Sequence, residues 1–455
     1  MTERETTDDV RFGAPADLRQ QVMSSSPSRH RLVEVAIAPS LPPVLAPNLA
    51  SLPAPSGASL LRAIATEGAL ERIRVVAWRD LDDPEAGGSE RHAHQIVQRW
   101  AQAGIDVELN TSAVRGAPVT ADRDGYRVVR RAGRYAVFPR TGLEGFVHRA
   151  RAGEAMVEIW NGMPFLSPLW YRGPRVVFLH HVHAEMWRMV LPAWMARIGE
   201  TVERRIAPPL YRASRVITLS TSAREEIVEL LGLDPARVSV VPPGVDAAFS
   251  PGPGRSRSPL VVAVGRLVPV KRFDMLVRAL VRAKREHPDL RAVIVGDGYE
   301  RPRLESLVET LGAQRWLTLP GHLPDHEVVQ WYRRAWLVAS TSLREGWGMT
   351  LTEAGACETP AVATSIAGHR DAVVHGRTGL LAESEEEIGR SISALLTDGR
   401  LRRRLGMGAR AHAAAFDWDL AARATLEALA EEACFAARDA RDARYALDLP
   451  ATLLQ

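Results

Sequence analysis

Short apolar runs and amphipathic stretches alternate along most of this chain. I-R-V-V-A-W (73–78) is a run of the kind a buried parallel strand requires. A polar loop, D-L-D-D-P-E-A-G-G, follows, and the period then changes. Ala93, Ile96, Val97, Trp100 and Ala101 fall on one helical face, predicting a helix over Ser89–Ala103 that stops at Gly104. I-D-V-E-L-N predicts a second strand, and a strand–helix–strand unit of this kind implies a parallel sheet. Further strands are expected at Ala155–Trp160, Val176–His180, Val216–Ser220 and Val238–Val241, with a helical segment from Ala184 to Tyr211.

The clearest linker is P-G-V-D-A-A-F-S-P-G-P-G-R-S-R-S (243–258), after which the alternation restarts. Strands are expected at 260–265, 291–296, Trp316–Leu319, Trp336–Ser340 and Ala361–Thr364, with helices over Phe273–Glu286 and Arg301–Leu311. The remainder reads as the helices Glu385–Leu396, Arg400–Phe416 and one from Trp418 onward. The expectation is an α/β fold of two Rossmann-like domains with parallel sheets facing a central cleft. Residues 71–250 would form the first domain, 251–435 the second, and 436–455 a helical tail. Residues 1–70, rich in Pro, Ser, Ala and Arg without a sustained period, are expected to be a disordered extension, with one short helix near Ala58 to Leu70.

Length and composition narrow this picture. A chain of 455 residues is too long for one core, which supports two domains. The formal net charge is only +4 and there is no basic block, so nucleic acid is not an expected partner. Two cysteines, Cys357 and Cys434, do not make a disulfide framework, which suits a reducing compartment. The start, M-T-E-R-E-T-T-D-D-V, lacks the apolar core of a signal peptide, and no segment approaches ~18 uninterrupted apolar residues. A cytoplasmic location is expected. The Trp-, Met- and Arg-bearing stretch from Met186 to Arg205 has two readings. It could dock on an anionic membrane surface at the inner face, or pack against its own domain, the commoner case.

Candidate chemistry gathers at turns after strands. In R-E-G-W-G-M-T-L-T-E (344–353), Glu345 and Glu353 flank a Gly-aromatic-Gly turn at the start of a helix. Ligands of open α/β sheets bind at such carboxyl ends of strands. One acid on a loop, another about one turn inside a helix, and free N–H groups between them suit a ligand with an anionic middle and hydroxyl-rich ends, such as a nucleotide-sugar. Thr350-x-x-Glu353 also fits a capping box, which alone would account for Glu353. Arg266 and Lys271 precede the helix at 273–286, where cations oppose the helix dipole unless an anion lies between. Only two lysines occur in the chain, Lys271 and Lys284, so an ammonium at this turn stands out. Gly87-Gly88 permits close backbone approach to a ligand at the first helix. G-x-G-x-x-G is absent there and at Gly296-Asp297-Gly298, which argues against a nicotinamide enzyme. His180, His181 and His183 follow a strand, but no Cys or carboxylate with metal-ligand spacing accompanies them.

From about 72 to 430 the chain resembles glycosyltransferase family 4 (glycosyl transferases group 1), retaining enzymes of the GT-B fold. The likeness rests on A-G-G-S-E-R-H (86–92), V-P-P-G-V-D (241–246), V-G-R-L-V-P-V-K (264–271) and E-G-W-G-M-T-L-T-E (345–353), with support from G-D-G (296–298), P-G-H-L (320–323) and G-R-T-G-L-L (376–381). It implies transfer of a hexose from a nucleoside-diphosphate sugar of the GDP-mannose or UDP-glucose type to a hydroxyl of a glycan, lipid or small molecule. It implies no cofactor and no metal, protein cations replacing Mg²⁺. By the same likeness, Gly88 would offer its N–H to the diphosphate, and Arg266 and Lys271 would hold that group. Glu345 would bind sugar hydroxyls, and the N–H groups of Gly346, Trp347, Gly348, Met349 and Thr350 would fix sugar and phosphate. Glu353 would hold the ribose, and Gly321 and His322 would flank the base. His180 matches the family's cleft histidine, with His181 the alternative one residue on. Trp347 stands where Phe is more usual, Pro243 where Asn is, and Arg272 where Gly is. None of these departures removes a functional group. A non-catalytic nucleotide-sugar-binding protein and a sugar phosphorylase are alternatives on the same fold.

Overall fold

The computed structural model describes residues 57–147 and 150–448. Two sheets account for the two series of apolar runs. The first has eight strands: β1 (Arg72–Val76), β2 (Asp106–Thr111), β3 (Thr120–Arg123), β4 (Tyr126–Arg130), β5 (Glu154–Trp160), β6 (Arg175–Leu179), β7 (Arg215–Thr218) and β8 (Val238–Val240). Their order is β3-β4-β2-β1-β5-β6-β7-β8, parallel except for the β3–β4 pair. The second has six parallel strands: β9 (Leu260–Val264), β10 (Arg291–Val295), β11 (Leu317–Gly321), β12 (Leu337–Ser340), β13 (Ala361–Thr364) and β14 (Gly379–Ala382), ordered β11-β10-β9-β12-β13-β14. In each sheet the order reverses beside the first strand, so the loops after β1 and β9 open at switch points where ligands of such folds bind.

Two expectations about boundaries change. Residues 57–70 are not a loose extension. The helix Gly57–Glu67 buries Leu61 and Ala65 in the core of the first sheet, beside helix Gly88–Gln102 and the last helix. The remainder of the expected extension, residues 1–56, lies outside the described residues. The last helix, Trp418–Asp448, also belongs in part to the first sheet's core rather than to the second domain. Trp418, Ala421, Ala422, Leu426 and Leu429 are buried there, and the Trp100 indole N–H donates to the Ala422 carbonyl at 2.9 Å. Gly244, in V-P-P-G-V-D, lies under this crossing, where a Cβ would come within 2.2 Å of the Trp418 nitrogen. The hairpin β3–β4 was not anticipated, although its Asp124-Gly125 turn is a recognised hairpin signal. The helical segment 184–211 is broken at Leu191-Pro192 and contains a π-helical turn, Val202–Ile206.

Candidate active site

The loop after β1 is tied down by buried charge. Arg130 reaches Asp80 with two bonds of 3.0 and 2.6 Å, and Arg79 reaches Glu90 at 3.2 Å. Glu90 also accepts from the Gly87 N–H at 2.8 Å, closing the first turn of helix Gly88–Gln102. Glu85 is paired with Arg134, which holds its carboxyl below the usual range. Arg266 crosses from the second domain and donates to the Glu85 carbonyl at 3.0 Å. Burial pulls its guanidinium down from its ordinary value, and Arg79 nearby adds to the effect. Gly88 faces Met349, whose methyl would lie 3.5 Å from a Cβ placed there.

In the second domain the loop after β9 ends in a tight 3₁₀ turn, Pro269–Lys271, before helix Phe273–Glu286. Arg272 joins them in the left-handed region at φ +48°, which explains why glycine is more usual at this position. The Thr341 hydroxyl, one residue past β12, donates to the carbonyls of Lys271 (3.1 Å) and Arg272 (2.9 Å) and pins the turn. Lys271 forms an ion pair with Glu345, which also accepts from the Ser342 hydroxyl at 2.9 Å. Burial alone would raise the Glu345 carboxyl. Lys271 and then His369 overcome it and bring the value to about 2.

Glu345 and its turn are held from both sides by close backbone approach. A Cβ at Gly346 would strike the His180 carbonyl at 2.4 Å, and one at Gly368 would strike the Glu345 carbonyl and the Trp347 nitrogen at 2.6 Å. Helix Met349–Ala356 then begins after Gly348, placing the N–H groups of its first turn at the crevice. Trp347 offers only backbone there: its ring is buried edge-on against Phe416, and its N–H reaches the Thr352 hydroxyl at 3.3 Å.

The helix start at Gly348 removes the capping-box reading of Glu353, which stands at the fifth helical position. Its carboxyl accepts from the Tyr332 hydroxyl at 3.3 Å and lies 3.8 Å from Arg91 of the first domain. Burial raises it to about 7, with Arg91 opposing and Asp325 adding. Glu353, Arg91, His94, Asp246 and Asp325 line a cavity of about 230 Å³ between the two sheets. Gly321 ends β11 at φ +91°, and His322 beside it is exposed.

The histidines separate by direction. His180 turns into the core, 3.2 Å from His92, and burial lowers it to about 4. His181 lies partly exposed and stacks on His183, with ring centres 4.9 Å apart and planes 10° apart. The charges acting on it are those of Glu345, Arg344, Lys271 and Arg266. Of the pair left open by the sequence, His181 is therefore the ring that feels the charges of Glu345, Arg344, Lys271 and Arg266, while His180 contributes backbone to the Gly346 contact. Among the described residues no group of His, Cys, Asp and Glu is placed to hold a metal ion. His369 was not anticipated at all. It is buried, bonded to Ser340 (3.3 Å) and the Thr364 carbonyl (3.0 Å), and its A-G-H-R-D context gives no local signal of the Glu345 neighbourhood.

Charged contacts bridge the two domains across the crevice. Arg344 reaches Glu185 and Glu226 of the first domain at 2.9 Å each, and Arg91 reaches Asp325 at 2.8 Å. Asp371 accepts from the Thr221 and Ser222 N–H groups, at 2.9 and 3.2 Å, capping a helix of the other domain.

Comparison with known proteins bears on the family and the fold. The profile of Glycosyltransferase Family 4 matches residues 86–249, and that of Glycosyl transferases group 1 matches residues 247–412. Relatives named D-inositol 3-phosphate glycosyltransferase include one from Kineococcus radiotolerans, 31% identical over 75% of this chain and 90% of that one. Another, from Acidothermus cellulolyticus, is 32% identical over 74% of this chain and 83% of its own length. Among solved structures, sucrose-phosphate synthase from Thermosynechococcus elongatus aligns with a TM-score of 0.65 at 20% identity, covering 82% of this chain and all of that one. Anabaena HepE in complex with UDP-glucose aligns with a TM-score of 0.60 at 19% identity, covering 78% of this chain and 98% of that one. With two parallel α/β sheets, matches to both family profiles and these relatives, the chain belongs to the family 4, group 1 glycosyltransferases of the GT-B fold.

Proposed function

We propose that this glycosyltransferase moves a hexose from a nucleoside-diphosphate sugar to an acceptor hydroxyl, with retention and without a metal ion. The observation that carries the reading is the convergence of Arg266, Lys271 and Glu345 with the Gly87-Gly88 turn and the N-terminus of helix Met349–Ala356 on one crevice. When the bond between the anomeric carbon and the diphosphate oxygen breaks, its electron pair goes to the diphosphate. Arg266 and Lys271 balance that charge, together with the helix N-terminus. The acceptor oxygen bonds to the same carbon from the same face and gives its proton to the departing phosphate. Glu345 accepts from sugar hydroxyls, Glu353 from the ribose, and Gly321 and His322 flank the base. His181 takes the cleft-histidine role. Closure of the two domains keeps water from the anomeric carbon.

The UDP-glucose complex of Anabaena HepE supports a nucleotide-sugar donor, and the names of the relatives make a phosphorylated cyclitol the first acceptor to try. Peripheral contact with an anionic membrane is part of the reading. Trp194 and Ile198 stand 67% and 51% exposed on helix Ala193–Thr201, with Val190 exposed nearby and Arg197, Arg204 and Arg205 around them. The opposite side of the same segment packs inward through Trp187, Ala196 and Gly199, as the packing expectation has it. Among the described residues no helix is long and apolar enough to cross a membrane. A thermal-shift screen over UDP, GDP and their sugars should find a stabilising donor, and transfer from it should survive EDTA. Lack of stabilisation by every nucleotide, or activity abolished by EDTA, would overturn the reading.

A further inference from the structure

Glu203 is fully buried in the π-helical turn Val202–Ile206, and no ion pair to it is present among the described residues. A buried carboxylate without a counter-ion is costly unless several donors converge on it. Three do. One oxygen accepts from the His183 N–H at 2.7 Å. The other accepts from the Ala184 N–H and the Trp187 indole N–H, both at 3.0 Å. These donors belong to the segment that leaves β6 and carries the cleft histidines. Ala184 holds the left-handed conformation there, at φ +44°, which a non-glycine residue keeps only when its surroundings insist on it. Single π turns inside helices are frequent at functional sites.

The contacts continue toward the crevice. The His183 ring sits against Gly162, so close that a Cβ there would lie 2.8 Å from its Nε2. His181 stacks flat on His183, and the charges acting on it are the Glu345 carboxylate and, opposing it, Arg344, Lys271 and Arg266. Trp187, the third donor, is seated over Gly199, where a Cβ would come within 2.5 Å of its ring. Helix Met186–Val190, which Trp187 anchors, packs on the Lys271 turn.

We infer that Glu203 is a positioning residue: its carboxylate fixes the 183–187 turn and thereby sets the His181 ring beside Glu345 and Lys271. The inference rests on the transfer reaction proposed above for what His181 does, but not for where the ring lies. Glutamine fills the same volume yet turns an N–H₂ group toward an N–H donor on one side, so Glu203→Gln breaks the three-donor pattern with little change in packing.

Two readouts separate this role from a structural one. NMR titration of the His181 ring in the full chain needs no activity. In E203Q the ring should titrate closer to 6.5 than in the wild type, where burial holds it near 4. An unchanged His181 titration overturns the inference even if the protein transfers no sugar. Given a working donor, kcat should fall about 10- to 100-fold with the donor KM within about threefold, the scale expected for a misplaced group near the reacting atoms. In a His181→Ala background E203Q should then cost little more, whereas additive losses would overturn the proposal. If wild-type protein transfers and E203Q is equally active, the inference fails and the transferase reading stands. Should E203Q not fold, Trp187→Phe removes one donor and leaves the carboxylate. The same titration must then shift in the same direction by a smaller amount, and no shift again overturns it.

Discussion

Replacing Glu345 by glutamine tests whether the Lys271–Glu345 pair is a structural bridge or half of a donor site. The pair sits inside the second domain, each side chain about one-fifth exposed. The Glu345 carboxyl lies near 2 rather than at its ordinary 4.5, with Lys271 the largest influence lowering it against burial. At about 1.4 kcal/mol per pH unit, that difference corresponds to at most about 3.5 kcal/mol of stability. The folded value is depressed, so this contribution is present above pH 4.5 and is lost as pH falls toward 2. Glu345→Gln removes it at neutral pH and leaves the Lys271 ammonium without its carboxylate. Urea unfolding of E345Q, Lys271→Ala and the double variant should give a coupling of about 2–3 kcal/mol, the double variant costing less than the sum. Transfer by the folded single variants should drop at least about 100-fold, the scale of a lost group that stabilises developing charge. Additive unfolding losses would refute the electrostatic argument. A coupled stability loss with undiminished transfer would refute the catalytic one and leave a structural bridge.

Three further outcomes follow from the same geometry. His180, His181 and His369 are each lowered to about 4 by burial, so the unfolded chain takes up their protons first. Stability should therefore fall as pH drops below 6.5, by about 1.4 kcal/mol per pH unit for each histidine until about 4, and a melting series in which His181→Gln does not flatten that slope would contradict this. Glu353 must be ionised to accept from two ribose hydroxyls, and burial places it at about 7. Donor affinity measured by calorimetry should weaken up to about tenfold per unit as pH falls below 7, and a flat profile from pH 6 to 8 would exclude the ribose role. Arg272→Gly relieves a left-handed residue at φ +48° and should raise stability by about 0.5–1 kcal/mol, the αL cost less the added chain entropy; a lower melting temperature would show that the arginine side chain supports the turn.

What could be read from the sequence is what a single β–α turn encodes. The strand-then-helix alternation gives both sheets, because a buried parallel strand and an amphipathic helix leave different periods in neighbouring residues. Lys271 and Glu345 were legible for the same reason: each stands at a strand's carboxyl end, and a cation before a helix N-terminus needs an anion to make sense of it. The helices at the two ends were harder. Gly57–Glu67 and Trp418–Asp448 pack on the first sheet, and the partners that bury them lie hundreds of residues away for the last helix. Composition around 1–70 pointed to disorder because the apolar face of the short helix is only meaningful once that surface exists. The β3–β4 hairpin was legible in principle through Asp124-Gly125, but its exposed strand Thr120–Arg123 carries no apolar alternation.

The cleft histidine marks the limit more sharply. His180 and His181 leave the same strand, and alternation says only that they point to opposite sides. Which side is the crevice depends on how β6 is covered. His92 on helix Gly88–Gln102 and Trp418 on the returning helix fill the side that His180 enters, so His181 is left to face Glu345. That choice is made by residues 88 positions earlier and more than 200 later. Family likeness does not contain it, since the two histidines are adjacent and either fits the motif pattern. The same holds for Arg91, Arg344 and Asp371, whose partners are all in the opposite domain. In this fold the single-turn motifs specify what each wall of the crevice is made of, and contacts between distant segments decide which atoms face each other across it.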